Sequence, residues 1–198
     1  MCNHLYKQVG NGVKLLSASS DQMEIDTTGM PACILSTAPS DCTNGGATYM
    51  FWIKQLDDLG GNLITTTGGK TEGCIIHVTT GSYLSMQIVR KGSSGNKFYK
   101  EVPGMDDFIN TWLHVAIVWY PEPIWMIRFY FDGTEINPND PCITDGSKDV
   151  TDSELRMILG RESLNCLTSA LVQNMIFDEL YLYDKLLFEE DIQAYVAN

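Results

Sequence analysis

The chain has 198 residues, and its 13 lysine and arginine residues stand against 25 aspartate and glutamate residues, a formal net charge of −12. This charge argues against binding to nucleic acids or anionic membranes, because both depend on clustered lysine and arginine. Hydrophobic residues make up 44% of the chain, and no apolar run reaches the roughly 18 residues that a membrane span needs. We therefore expect one folded domain over residues 1–198, with no nucleic-acid partner and no direct membrane insertion.

Short apolar runs with a period of two residues dominate the chain, and clusters of glycine, proline, asparagine and aspartate separate them. Proline cannot donate to a strand ladder, so Pro121-Glu122-Pro123 is predicted to connect the two strands of a hairpin, and Asp132-Gly133 marks the next turn. Strands at this spacing without helices between them are typical of an all-β antiparallel sandwich or barrel. The predicted strands lie near residues 12–17, 22–26, 46–55, 62–67, 74–79, 83–90, 97–102, 113–120, 124–131, 155–159 and 171–183.

A helical pattern occurs only at the C-terminus. Phe188, Ile192, Tyr195 and Val196 fall on one face of a helix at i, i+4, i+7 and i+8. The acidic residues 189–191 occupy its first turn, where the helix dipole favours carboxylates, so we interpret them as a solvated helix start. The sequence therefore predicts one short C-terminal helix and no functional site there.

The six cysteines contain no Cys-x-x-Cys pair and the three histidines are scattered, so a structural zinc site is not expected. An even number of cysteines favours three disulfides and an oxidising compartment, with buried free thiols as the alternative. Cys33 and Cys42 bracket a loop over residues 34–41 and would staple it. Cys142 and Cys166 flank another polar stretch that they could close. The pair Cys2–Cys74 follows only by elimination, since six cysteines allow 15 pairings.

The first residues do not form a signal peptide, because no basic segment is followed by an apolar one. An oxidised protein without a signal peptide is most simply interpreted as a domain excised from a larger protein. The chain also has no Asn-x-Ser/Thr sequence, so N-glycosylation is not expected.

Four stretches of the chain carry motifs, in this order: Ala47 to Lys54 (T-x-x-F-W-x-K), Trp112 to Ala116 (W-x-H-V-A), Tyr130 to Gly133 (Y-x-D-G), and Phe177 to Leu180 with Leu187 and Glu190 to Ile192 (I-D-E and L-S-x-E-E-I). Together they resemble the motifs of laminin-G-like domains over about residues 12–196. The resemblance implies a concanavalin A-like jelly-roll sandwich of two antiparallel sheets, in an extracellular animal protein. It also implies a Cys33–Cys42 disulfide just before the Phe-Trp strand.

The resemblance assigns structural roles to several aromatic residues. Trp52, Trp112 and Trp119 would be core or sheet-edge aromatics, and His114 would be a core residue or a hairpin partner. The family helix usually begins with serine or threonine, where this chain has Phe188. Losing that cap costs ~1 kcal/mol, so we expect the helix to fray or to be anchored by packing of Phe188.

Calcium is a possible cofactor, but the sequence supports it weakly. The run from His114 to Trp119 is similar to the pentraxin H-x-C-x-[ST]-W signature, with Ala116 in place of cysteine. Of the pentraxin Q-E-Q-D calcium run, only Glu162 is kept, and calcium needs six to eight oxygen ligands, so a double-calcium site is not expected. The acidic stretch 137–154 is interpreted as a solvated connection, with a calcium-binding rim loop as the alternative. The weak candidates for metal binding are therefore Asp140 and Asp145 from this stretch, together with Glu162 and Asp178.

No catalytic spacing occurs in the chain. Glu24-Ile25-Asp26 begins the E-x-D-x-x-E motif of concanavalin A-like glycosidases, but Gly29 stands in place of the second glutamate. We therefore predict a non-catalytic extracellular recognition or adhesion module. Its partner would be a glycan or a protein, bound at the rim loops or on the concave sheet by residues that the sequence does not identify. The alternatives are a carbohydrate-active enzyme of the same fold and a structural or oligomerisation domain.

Overall fold

The structure is a computed structural model with side chains. It describes residues 12–15, 23–36, 41–58, 60–66, 73–79, 81–89, 97–121, 123–136, 142–145, 157–160 and 174–197. The described residues form thirteen strands, two α-helices and a 3₁₀ helix at Met105–Phe108. The strands are β1 (Val13–Leu15), β2 (Met23–Ile25), β3 (Ala47–Gln55), β4 (Gly61–Thr65), β5 (Gly73–Val78), β6 (Leu84–Val89), β7 (Lys97–Val102), β8 (Trp112–Tyr120), β9 (Met126–Phe131), β10 (Thr134–Ile136), β11 (Ile143–Asp145), β12 (Met157–Leu159) and β13 (Met175–Tyr183). The helices are α1 (Ala32–Ser36) and α2 (Glu189–Val196).

The strands form two antiparallel sheets, which confirms the predicted sandwich. The six-stranded sheet has the order β1-β13-β3-β8-β9-β10, and the seven-stranded sheet has the order β11-β7-β6-β5-β4-β12-β2. Both inner faces carry the apolar half of each alternating strand, for example Phe51, Ile117 and Phe129 on one sheet and Ile76 and Met86 on the other. The predicted strands therefore occur, with ends shifted by a few residues.

Four short elements depart from the sequence predictions. The loop predicted over residues 34–41 begins inside α1, whose five residues are too few for a helical period to be visible. The stretch 137–154, interpreted as a connection, contains β11, which pairs with the edge strand β7. The strand β10 and the 3₁₀ helix were also not predicted. Elements of three to five residues are set by their tertiary partners, which the sequence does not show.

Two local features explain the chain path around the six-stranded sheet. The predicted turn at Asp132-Gly133 is confirmed: both residues have positive φ, 46° and 80°, as a type I′ hairpin turn requires. A Cβ on Gly133 would lie 3.1 Å from Cγ of Gln193, so glycine also makes room for α2. In β13 the alternation breaks at a bulge between Asp178 and Tyr181.

A second apolar cluster lies on the outer face of the six-stranded sheet. It contains Met50, Ala116 and Tyr130 from the sheet, together with Leu187 and Ile192 from the C-terminal segment. The helix α2 packs across this face as a third layer. This packing supplies the stability that a helix of eight residues cannot supply alone.

The start of α2 differs from the prediction made for it. Phe188 does not anchor the helix, because its side chain is 66% exposed. The side chain of Asp191 instead accepts a hydrogen bond from the backbone N–H of Phe188 at 3.2 Å. The carboxylate of the third helical residue therefore supports the helix start in the absence of a hydroxyl cap.

One of the three predicted disulfides lies wholly within the described residues. Cys33 and Cys42 are bonded, as predicted. Cys74 and Cys142 are free thiols here, and burial raises the pKa of the Cys74 thiol to about 11. Their predicted partners, Cys2 and Cys166, lie outside the described residues, so the pairs Cys142–Cys166 and Cys2–Cys74 stay predictions.

The Cys33–Cys42 disulfide joins α1 to the residues that lead into β3. Replacing both cysteines with serine is expected to lower the free energy of unfolding by about 2.5–3 kcal/mol, because the bond closes a short loop that is otherwise free in the unfolded chain. Urea denaturation of the double variant and the wild type, both without reductant, measures this difference. Equal unfolding free energies would contradict the prediction.

Candidate ligand-binding face

The outer face of the seven-stranded sheet concentrates polar side chains. In β4 to β7 the apolar residues Ile64, Ile76 and Met86 point into the sandwich, so the residues that alternate with them point outward. We call the polar side chains among these outward residues the polar face. It consists of Asn62, Thr65, His77, Ser85, Gln87, Tyr99 and Glu101.

The strand register brings these residues together in two rows. Asn62 pairs with His77, His77 with Ser85, and Ser85 with Glu101, which makes one row across four strands. Thr65 begins the second row, which continues through Ile75 to Gln87 and Tyr99. Neighbouring strands lie about 4.8 Å apart, so each row spans about 14 Å, the length of a short oligosaccharide or peptide.

Three residues form a buried floor to the polar face. The exposed fraction is 7% for Asn62 and 0% for Thr65 and Ser85. Asn62 Nδ2, Thr65 Oγ1 and Ser85 Oγ have no hydrogen-bond partner among the described residues. A buried polar group without a partner costs about 1–3 kcal/mol. Asn62 and Thr65 lie on β4 and Ser85 lies on β6, with β5 between them, so the three unpartnered groups are close together on one side of the sheet.

The rim of the polar face is accessible and bears both donors and acceptors. Gln87 Nε2 lies 3.2 Å from His77 Nε2. An amide nitrogen can only donate, so this contact is a hydrogen bond in the tautomer whose Nε2 carries no proton. Tyr99 is half-buried and Glu101 is exposed. The rim thus offers an aromatic ring, an imidazole, an amide and a carboxylate to a ligand that reaches the floor.

The carboxylates on the described part of this sheet face are too far apart for glycosidase chemistry. Glu24 points outward from β2, and Glu101 points outward from β7. Five strand spacings separate them, which amounts to about 24 Å. An acid and its partner carboxylate need to lie within roughly 5–10 Å of each other. The two carboxylates therefore do not form a catalytic pair.

The two weak candidates for metal binding that the structure describes do not lie close together. Asp178 lies on β13 of the six-stranded sheet, where its carboxylate accepts the backbone N–H of Glu179 at 2.9 Å. Asp145 ends β11, on the edge of the other sheet. Asp140 and Glu162 lie outside the described residues. Within the ranges that the structure describes, no group of three or more histidine, cysteine, aspartate or glutamate side chains is placed to hold a metal ion.

Comparison with known proteins identifies the family. A laminin G family profile, described as the Concanavalin A-like lectin/glucanases superfamily, matches residues 29–193. The chain belongs to this superfamily. The concanavalin A-like jelly roll predicted from the sequence motifs is thereby confirmed. No curated protein is significantly similar to the chain in sequence.

Solved structures with the same concanavalin A-like architecture include several botulinum neurotoxin domains. The serotype D binding domain matches with a TM-score of 0.60 and 16% identity, over 98% of this chain and 45% of that one. The binding domain of neurotoxin DC in complex with rat synaptotagmin II has a TM-score of 0.52 and 16% identity, over 81% and 38%. The type C neurotoxin, whose cell entry depends on two ganglioside molecules, has a TM-score of 0.52 and 17% identity, over 76% and 35%. The chain thus spans less than half the length of these domains, and the likeness establishes the fold alone.

In the described part of the chain, neither helix is long and apolar enough to cross a membrane.

The sequence alone does not identify any residue of the polar face. The only available signal was that polar residues alternate with apolar ones in β5 to β7, and every two-faced strand shows this alternation. What distinguishes Asn62 and Ser85 is that both pair with His77 of β5, and that Asn62 Nδ2 and Ser85 Oγ are buried without a hydrogen-bond partner among the described residues. Both properties exist only after the sheet has formed.

Proposed function

We propose that the chain is a non-catalytic recognition module that binds a glycan on the polar face. The observation that carries this proposal is the buried floor of unpartnered Asn62, Thr65 and Ser85 beneath an accessible polar rim. Ligand sites are typically concave and hold a few well-placed polar groups among apolar ones. A glycan fits because its hydroxyl groups donate and accept at once, as an amide and two hydroxyls require.

The relatives support the ligand class and leave its identity open. Neurotoxin binding domains of the same fold occur in complex with a sialyl sugar, and another acts through gangliosides. A neurotoxin binding domain also binds the protein synaptotagmin II, so a protein ligand is the competing partner. For this chain the amide and hydroxyl groups of the floor favour the glycan, because they match sugar hydroxyls without needing a fixed peptide sequence.

The proposed setting is extracellular, in a secreted protein or the ectodomain of a membrane protein, with a role in recognition or adhesion. The Cys33–Cys42 disulfide supports this setting, since disulfides persist in oxidising compartments. We do not propose the enzyme alternative, because Glu24 and Glu101 are too far apart to act together. Calcium dependence stays a prediction that rests on Asp140, Asp145, Glu162 and Asp178.

A pair of threonines on opposite sheets tests the proposed site. Thr65 and Thr48 are both fully buried strand residues. Thr65 Oγ1 has no partner, whereas Thr48 Oγ1 donates to the carbonyl of Lys185 at 2.8 Å and accepts the N–H of Leu187 at 3.1 Å. We expect Thr65→Val to keep or raise the free energy of unfolding, because it removes an unpartnered hydroxyl, and Thr48→Val to lower it by about 1–3 kcal/mol.

The same pair gives opposite results for binding. The wild-type chain is first screened on a glycan array in calcium buffer and in chelator, and its strongest glycan is then titrated by calorimetry. We expect Thr65→Val to lower the affinity for that glycan about tenfold, a loss of roughly 1.4 kcal/mol of binding free energy. Thr48→Val should leave this affinity unchanged. An array without any bound glycan, or equal affinities for both variants, would refute the proposal. Loss of binding in chelator alone would show that calcium takes part.

A further inference from the structure

A second group of side chains on the other sheet has the properties of a binding surface. Trp52 and Lys54 point outward from β3, Trp112 points outward from β8, and Ile176 and Asp178 point outward from β13. The alternating residues of these strands, such as Phe51, Ile53 and Leu113, lie in the inner core. We call the five outward side chains the tryptophan patch.

The register makes the tryptophan patch compact. Lys54 lies between Ile176 and Trp112, and Trp52 lies between Asp178 and His114. These residues form two adjacent rows on three neighbouring strands, which span about 10 Å. Both indole rings therefore belong to one surface of the size of a single sugar ring and its substituents.

The tryptophan patch is not part of the core. Trp52, Trp112 and Ile176 belong to neither apolar cluster of the described residues, and Trp112 is 40% exposed. Of the three tryptophans predicted to be core or sheet-edge aromatics, Trp119 is fully buried in the core, Trp52 is half-buried and Trp112 is exposed. The helix α2 covers the sheet up to His114, which lies next to the patch. The ring centroids of Tyr195 and His114 lie 5.2 Å apart, and those of His114 and Trp52 lie 5.3 Å apart.

The charges around the tryptophan patch select the chemistry of its ligand. Lys54 has no ion-pair or side-chain hydrogen-bond partner in the described part of the chain, and Asp178 uses one oxygen for the backbone of Glu179. A cation donor and a carboxylate acceptor therefore flank the indoles. Lys14 and Glu179, at the margin, add one further charge of each sign, and Asp132, which accepts the backbone N–H of His114, adds one more carboxylate. The patch therefore has no excess of positive charge to select an anionic ligand, and an uncharged ligand with an apolar face and several hydroxyl groups matches its mixed donors and acceptors.

We propose that the tryptophan patch binds a pyranose unit of a neutral glycan. The indoles would pack against the apolar C–H face of the sugar ring, and Lys54 and Asp178 would bind its hydroxyl groups. The surface is on the sheet opposite to the polar face, so the inference goes beyond the proposed function and stands on separate residues. With both sites occupied, one chain would hold two glycan chains at once and gain in avidity.

Indole N–H signals in ¹H–¹⁵N spectra test this inference, because each tryptophan reports its own surroundings. The full chain has four tryptophans, and Trp52→Phe and Trp112→Phe variants assign two of the signals. Methyl β-galactopyranoside and methyl β-glucopyranoside are titrated into the millimolar range, with a methyl sialoside as the charged comparison. We expect the Trp52 and Trp112 signals to shift and saturate with at least one neutral glycoside, while the signal of the buried Trp119 stays in place.

Variants separate this inference from the proposed function. Trp112→Ala is expected to reduce the sugar-induced shift of the Trp52 indole N–H signal at least fivefold. The melting temperature should change little, since Trp112 is exposed. Thr65→Val is expected to leave the sugar-induced shift unchanged, because that residue lies on the polar face. Static Trp52 and Trp112 signals with both neutral glycosides would overturn the inference, as would shifts caused by the sialoside alone. Shifts that follow protein concentration instead of sugar would also overturn it and would identify the patch as a contact between copies of the chain.

Discussion

The free energy of unfolding is expected to fall by up to about 3 kcal/mol between pH 7 and pH 4 because of His114 alone. The side chain of His114 is fully buried, and neither ring nitrogen has a hydrogen-bond partner among the described residues. Burial lowers the pKa of His114 from 6.5 to about 4, although the nearby carboxylates of Asp132 and Glu179 act in the opposite direction. The difference in pKa, at 1.36 kcal/mol per unit, gives the expected size of the effect.

The sign follows from proton binding in the two states. Below about pH 6.5 the unfolded chain binds a proton at this histidine, whereas the folded chain does not until about pH 4. The unfolded state is therefore favoured increasingly as the pH falls through this window. Above pH 6.5 both states hold a neutral imidazole and the full stability is present.

Urea denaturation at pH 4, 5, 6 and 7 measures the effect in the wild type and in His114→Phe. Phenylalanine keeps an aromatic ring between Trp52 and Tyr195 but does not titrate, so its curve should be flatter. Carboxylates that titrate in the same range act in both proteins, so the difference between the two curves isolates His114. Parallel curves would contradict the prediction.

Replacing Ile192 with alanine is expected to lower the free energy of unfolding by about 2–5 kcal/mol. Ile192 is the fully buried residue of α2 and packs with Met50, Ala116 and Tyr130 on the outer face of the six-stranded sheet. Removing its methyl groups leaves a cavity between the helix and the sheet. Glu190→Ala on the exposed side of the same helix is the matched control, with an expected change within about 0.5 kcal/mol.

The two predictions are linked through Tyr195. If Ile192→Ala releases the helix, the ring of Tyr195 leaves His114 and water reaches the imidazole. The pH dependence assigned to His114 should then shrink in the Ile192→Ala variant. A loss below about 1 kcal/mol with an unchanged pH dependence would mean that α2 contributes little to the outer cluster.

The sequence predicted the main strands because their apolar residues alternate and prolines and glycines mark their ends. It also identified the Asp132-Gly133 turn, whose positive φ angles suit these residues. It missed β11 and β10, since three-residue strands exist only through pairing with a neighbour such as β7 or β9. The family resemblance assigned Trp112 to the core or a sheet edge, and only the register shows that this side chain points outward from β8.

The sequence could not predict the candidate ligand-binding site for a related reason. Asn62, His77 and Ser85 are separated by 15 and 8 positions along the chain, and the cross-strand pairs bring them together. Their burial without hydrogen bonds depends on everything that packs around them. None of these properties has a local signal, since a polar residue in an alternating strand is usually solvated.

The sequence by itself determined an acidic all-β chain with laminin-G-like motifs, because strand alternation and turn residues act over a few neighbouring positions. The tertiary structure decided which polar residues share a surface, which tryptophans stay outside the core and why His114 resists protonation. Each of these depends on contacts between strands far apart in the chain. Such contacts set burial and hydrogen bonding, and these two quantities control both ligand binding and titration.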